Sequence, residues 1–133
     1  MTSIEIPYSI AAALPTLSVL DITNDVKRAL AESEYESGVA LVSPREERAL
    51  VRLNERESGI FKDFETLLAR LIPCEQAERE ALLTFLLGPR GEQIPFFSRS
   101  LRLGEWQRIL LVAFDGSCEP SWQLTLIGER EED

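Results

Sequence analysis

The sequence predicts an α+β fold of mostly antiparallel, sandwich-like β-sheet carrying two helices. Three observations point there. Seven or eight short apolar or alternating runs are joined mostly by short turns. Two segments space their apolar residues at helical intervals. No internal repeat, low-complexity tract or Pro/Gly-rich linker divides residues 1–133, which are read as one domain.

In chain order, short strands are expected near Ser3–Tyr8 and Thr16–Leu20. Asp21 or Thr23 then caps a helix reaching about Glu34, with Ile22, Val26, Ala29 and Leu30 on one face. Ser37-Gly38 is expected to end it, because glycine readily takes the conformation found past a helix C-terminus. Val39–Ser43 reads as a strand. After the charged patch Arg45–Arg48, the run Ala49–Leu53 alternates, with Ala49, Val51 and Leu53 on one side and Leu50 and Arg52 on the other.

Asn54–Ser58 reads as a polar connection to a second helix over Gly59–Leu71. Its apolar positions are Ile60, Phe61, Phe64, Leu67, Leu68 and Leu71, and Pro73 closes it. Periodicity leaves Ala81–Leu87 open between strand and helix, and the turn signal Gly88-Pro89-Arg90-Gly91 favours a strand. Gln93–Phe97 is a further strand. Ile109–Phe114 is apolar at every position and should be buried on both faces. Trp122, Leu124 and Leu126 alternate with Gln123 and Thr125 in the last strand.

Composition narrows the function. A formal net charge of −9 repels phosphate backbones and anionic lipid, which argues against nucleic acid as a partner. No stretch approaches the roughly 18 apolar residues of a membrane span. The acidic start Met1–Tyr8 lacks the basic region of a secretory signal, so the expected compartment is the cytoplasm. Glu129, Glu131, Glu132 and Asp133 read as a solvated tail. Cys74 and Cys118 fit neither a disulfide framework nor a zinc-ligand spacing. The chain has 0 histidines, which removes histidine-dependent nucleophilic catalysis and histidine-ligated metal.

Several short signatures lie in order along the chain: Asp21-Ile22-Thr23-Asn24-Asp25-Val26, Leu53-Asn54-Glu55 with Asp63 after it, Leu86-Leu87-Gly88-Pro89, Leu103-Gly104-Glu105-Trp106-Gln107, Phe114-Asp115-Gly116 and Leu126-Ile127-Gly128. Over residues 21–128 they resemble the YjbQ-like family. The resemblance implies an α+β fold that assembles as a homotrimer with a pocket near subunit boundaries. Some relatives in that family are described as thiamine-phosphate synthases.

This chain departs from the family where the family carries histidines. Glu46-Glu47-Arg48-Ala49 stands where relatives have His-Thr-Thr-Ala, and Ala81 stands at a second histidine position. Pro73–Ala81 is too short for the loop that holds a third. Asp115-Gly116-Ser117-Cys118 lacks the arginine of the corresponding family motif. The expectation is a degenerate site without metal or other cofactor.

The candidate ligand-binding residues are Glu46, Arg48, Arg52, Asn54, Glu55, Asp63, Trp106 and Gln107, and no catalytic residue is assigned. Glu46, Glu55 and Asp63 would suit an all-oxygen magnesium, calcium or manganese site, against which stands local ion pairing within Arg45–Arg48. Arg48 and Arg52, four apart on a strand, would grip a phosphate or carboxylate by bidentate hydrogen bonds, or pair with acids across a subunit boundary. Trp106 would line a pocket or belong to the core, and Asn54 and Glu55 would position a substrate or tie down a turn.

The reading is therefore a non-catalytic homotrimer on a former enzyme scaffold, binding at most a small anionic ligand. Two rivals stand beside it. One is a retained enzyme acting on an anionic small molecule through Glu46, Glu55, Asp63 and Arg52, and the other is a partner subunit of a histidine-bearing relative.

Overall fold

Hydrophobic alternation sorts this chain into layers. The computed structural model describes residues 10–114 and 121–130. Its elements are β1 (Ile10–Leu14), β2 (Leu17–Asp21), α1 (Thr23–Glu32), β3 (Tyr35–Pro44), β4 (Ala49–Glu55), α2 (Ser58–Leu71), α3 (Arg79–Leu87), β5 (Glu92–Phe97), β6 (Ser100–Leu101), β7 (Gln107–Ala113) and β8 (Trp122–Arg130). The strands form two four-stranded antiparallel sheets, in the orders β1-β2-β7-β4 and β6-β5-β3-β8.

The alternation expected in Ala49–Leu53 is the key to the packing. Ala49 and Val51 face the second sheet and meet Ala40, Val42, Ile94 and Phe96, while α1 contributes Ile22, Val26 and Leu30 to the same core. Leu50 faces the other way, into a second core with Leu17, Val19, Phe61, Leu68 and Leu83. The architecture is thus sheet on sheet, with α2 and α3 as a third layer on the outer face of the β1-β2-β7-β4 sheet.

Ile109–Phe114 is buried on both faces as the sequence implied. Ile109, Leu111 and Ala113 enter the inter-sheet core, and Leu110, Val112 and Phe114 enter the core under the helices. Its cover comes from this chain's own helices, so burial of this strand needs no neighbouring subunit.

Four local expectations are corrected. Ala81–Leu87 belongs to a third helix, because its apolar residues do not face two buried surfaces. Leu83 alone is buried in that run, and Leu82, Phe85 and Leu86 point outward. The first helix stops at Glu32 with Ser33 as its C-cap, and Gly38 instead lies within β3. There it faces Gly128 of β8 at φ 151°, a close approach that a Cβ would block. Asn54 and Glu55 extend β4 rather than forming a loop. Trp106 is 69% exposed in the turn before β7, so its core alternative does not hold. The expected strand over Ser3–Tyr8 lies outside the described residues, as do Asp115–Cys118 of the site motif.

Polar side chains fix the element ends. The Glu57 carboxylate accepts the Gly59 and Ile60 amides, both at 2.8 Å, and these bonds hold its pKa below the usual carboxylate range. Further along α2, Glu65 accepts both the amide and the hydroxyl of Thr16 at 2.8 Å, which ties the β1–β2 turn to the helix.

Candidate functional site

β4 divides the candidate residues into two groups. Glu46 and Arg48 lie in the turn before it, and Asn54 and Glu55 stand at its far end, opposite Arg108 and Gln107 of β7. At about 3.3 Å per residue, the strand holds its ends roughly 20 Å apart. Glu46 therefore does not converge with Glu55 within one chain. Among the described residues no group of three or more Asp, Glu or Cys side chains is placed to hold a metal ion. Asp63 is exposed on α2.

The Arg45–Arg48 turn is fastened through its backbone. The Glu46 carbonyl accepts Arg90 Nη2, and the Arg48 carbonyl accepts the Phe114 amide at 3.1 Å. The Arg45 amide donates to the Ser121 carbonyl at 3.0 Å. The side chains of Arg45, Glu46, Glu47 and Arg48 border an open depression of about 350 Å³.

Arg52 is placed differently from the expectation that paired it with Arg48, since Arg48 precedes the strand and the two do not share its face. The Arg52 Nη1 donates to the carbonyls of Val51 at 2.9 Å and Pro89 at 2.6 Å, and Nη2 donates to that of Leu87 at 2.5 Å. The guanidinium thus caps the C-terminal end of α3, where a cation complements the unpaired carbonyls. These bonds use three of its five N–H groups. No carboxylate pairs with it among the described residues.

Beside Arg52, sheet and helices border a partly open cavity of about 240 Å³. Leu50, Phe61, Phe64, Leu110 and Val112 supply its walls, and Arg52 and Asn54 are its polar members. α2 inserts Phe61 and Leu68 into the core under the sheet, and Phe61 also borders the cavity. The Asn54 Oδ1 accepts the neighbouring Glu55 amide at 2.7 Å, and its amide group has no partner among the described residues. Gln107 is engaged locally: its Oε1 accepts the Gly104 amide at 2.7 Å and closes the turn that carries Trp106.

Sequence reasoning missed the most polar cluster of the interior. The Asp21 side chain is 1% exposed. Its Oδ2 accepts Arg108 Nε at 2.7 Å and Arg56 Nη1 at 3.3 Å, and its Oδ1 accepts the Thr23 amide at 3.0 Å and hydroxyl at 2.5 Å. The Thr23 hydroxyl oxygen accepts the Ile109 amide at 2.8 Å, which joins α1 to β7. Burial pushes the Asp21 pKa up, but the Thr23 and Arg108 bonds with the Arg108 charge outweigh it and leave it lowered. The available signal was Asp21 two residues before Thr23, a spacing at which an aspartate side chain meets the backbone amide. Nothing in the sequence ties either arginine to it.

The arrangement of two antiparallel sheets with a helical layer recurs among known proteins. The family described as UPF0047 protein YjbQ-like matches residues 13–129 of this chain. The chain belongs to that family. A UPF0047 protein of Archaeoglobus fulgidus is 33% identical over 109 residues, which cover 75% of this chain and 83% of the relative. Among solved structures, a hypothetical protein of Aeropyrum pernix K1 superposes with a TM-score of 0.76 at 29% identity, covering 88% of this chain and 93% of the other. A YjbQ-like protein of unknown function from Sulfolobus solfataricus shares the fold at a TM-score of 0.78 and 22% identity, over 89% and 92% of the two chains. For this UPF0047 member the α+β class and the family resemblance read from the short motifs both hold. No described helix is long and apolar enough to cross a membrane.

Proposed function

We propose that this UPF0047 protein is a homotrimeric binding protein without the family's metal chemistry, and that its ligand is a small molecule with an apolar body and an anionic end. The observation that carries the reading is the 240 Å³ cavity beside an arginine that lacks a carboxylate partner among the described residues. A cavity of about 150 Å³ takes up benzene, so this one has room for a single ring or a short chain. The apolar walls would hold the body, while the two remaining Arg52 N–H groups and the Asn54 amide would face the anion. The absence of histidine from the sequence supports a loss of metal chemistry.

Benzoate and neutral benzyl alcohol are suitable probes, read by amide shifts in isotopically labelled protein. Benzoate is expected to shift Leu50, Phe61 and Leu110 saturably at millimolar concentration. Asn54→Asp, a change at an exposed position, should weaken benzoate several-fold and leave benzyl alcohol unaffected. No saturable shift from either probe would overturn the reading.

The homotrimer has separate support. Leu82, Phe85 and Leu86 form an outward stripe on α3, with Phe85 89% exposed, and exposed apolar patches of this kind mark interaction surfaces. Light scattering at micromolar concentration is expected to give three chain masses, and Phe85→Glu to lower that mass. A wild-type chain that runs as a monomer would rule the trimer out.

A further inference from the structure

The opposite end of α3 carries a second feature that the cavity beside Arg52 does not explain. Arg79 is the first residue of this nine-residue helix, and it is 6% exposed. Its side chain turns inward on the same helix face as Leu83, four residues later. Nε donates to the carbonyl of Ile72, the C-cap residue of α2, at 2.9 Å. Nη2 is buried and has no hydrogen-bond partner among the described residues. No carboxylate forms an ion pair with this guanidinium among the described residues.

A buried cation with neither counter-charge nor a full set of acceptors is costly, and such groups persist where a ligand, ion or water completes them. The surroundings favour an anion. Glu78, the N-cap of α3, sits at φ 59° and makes no side-chain cap, so the positive end of the helix lacks a covering acceptor. A pocket of about 330 Å³ opens there between the Pro15–Thr16 turn, Cys74, Gln76, Glu80 and Phe114, with Arg79 among its walls. Thr16 has no donor to offer it, because its amide and hydroxyl both serve Glu65.

We propose that this pocket binds a small oxyanion, the carboxylate or phosphate group of a ligand, against the Arg79 guanidinium and the first turn of α3. Glu80 is the acid in the pocket wall, and its charge opposes the incoming anion. That opposition weakens the binding of any anion. It also supplies a test that leaves the buried arginine in place.

Acetate and inorganic phosphate, each against chloride at equal ionic strength, are the probes, and the amide resonances of Glu80 and Ala81 are the readout. Wild-type protein should give saturable shifts at millimolar concentration with at least one of the two ions. Response to acetate alone assigns a carboxylate ligand, and response to phosphate alone assigns a phosphate ligand. Glu80→Gln should tighten binding several-fold, and Arg79→Gln should abolish it. Should Arg79→Gln fail to fold, the Glu80→Gln comparison decides the matter alone. Shifts linear in both ions, or an affinity unmoved by Glu80→Gln, would overturn the site and leave Nη2 completed by water.

Discussion

Asp21→Ala is expected to destabilise the protein by about 3 kcal/mol, as urea unfolding would measure. Removing one partner of a buried ion pair costs about 3–5 kcal/mol, because the charges left behind lose their compensation. The lower end applies here, since the Arg108 and Arg56 side chains are 31% and 38% exposed and water can reach them in part. The damage is not confined to the ion pair. The Thr23 amide and hydroxyl lose their acceptor, and the Thr23 bond to Ile109 loses the group that orients it. Asp21→Asn keeps an oxygen for Thr23 and should cost less, about 1–2 kcal/mol.

The pH dependence has a definite sign. The carboxyl titrates lower in the folded chain than in the unfolded one, so acid protonates the unfolded state first. Its contribution is full above the ordinary carboxylate range and is lost as pH falls through the folded value. The stability gap between wild type and Asp21→Asn should therefore narrow in acid. A gap that stays constant down the acid range would mean that the pair contributes no charge-dependent stability.

Gly38→Ala is the second large effect. A Cβ built on Gly38 would stand 2.1 Å from the Ile127 carbonyl oxygen, and one built on Gly128 would stand 2.0 Å from that of Ser37. Both obstacles are backbone atoms of a paired strand, so no side-chain rotation relieves them. The φ of 151° at Gly38 adds strain for any other residue. Overpacking and backbone strain at about 1–3 kcal/mol each give a loss of about 3 kcal/mol or more, or roughly 10 °C in Tm. Gly88→Ala is the control, because Gly88 also has positive φ, 66°, but its Cβ would meet nothing within 4 Å. With ψ −153° that conformation also favours glycine, so Gly88→Ala should lose about 1–3 kcal/mol from backbone strain without the clash. Equal losses at the two positions would remove the close approach as the cause.

These two sites also show what the sequence could and could not convey. Period-two alternation placed β4 and β8, and the unbroken apolar run of β7 announced burial on both sides, because those patterns report directly on which faces meet the core. Helical spacing did the same for α2. Gly38 misled because a glycine permits both a helix stop and a tight strand crossing, and only the partner strand, some ninety residues on, decides between them. In Ala81–Leu87 the apolar residues answer largely to the surface, a circumstance that periodicity within one short segment does not register. The candidate site was half legible. Arg52 and Asn54 do share a cavity, but Glu46 and Glu55 are held apart by the strand between them. Asp21, Arg56 and Arg108 come together only through strand pairing and the turn after β4, which no local pattern encodes.

The double burial of β7 has a consequence for how such a molecule can change over time. Its odd-numbered positions Ile109, Leu111 and Ala113 answer to the facing sheet, while Leu110, Val112 and Phe114 just past its end answer to the helices. One strand thus keeps two independent sets of fitting requirements interleaved in a single stretch of sequence. Helices that shorten, tilt or exchange side chains ask for adjustment at every second residue and leave the intervening ones alone. A lineage can rebuild the helical layer and the cavities beneath it while the sandwich stays the same.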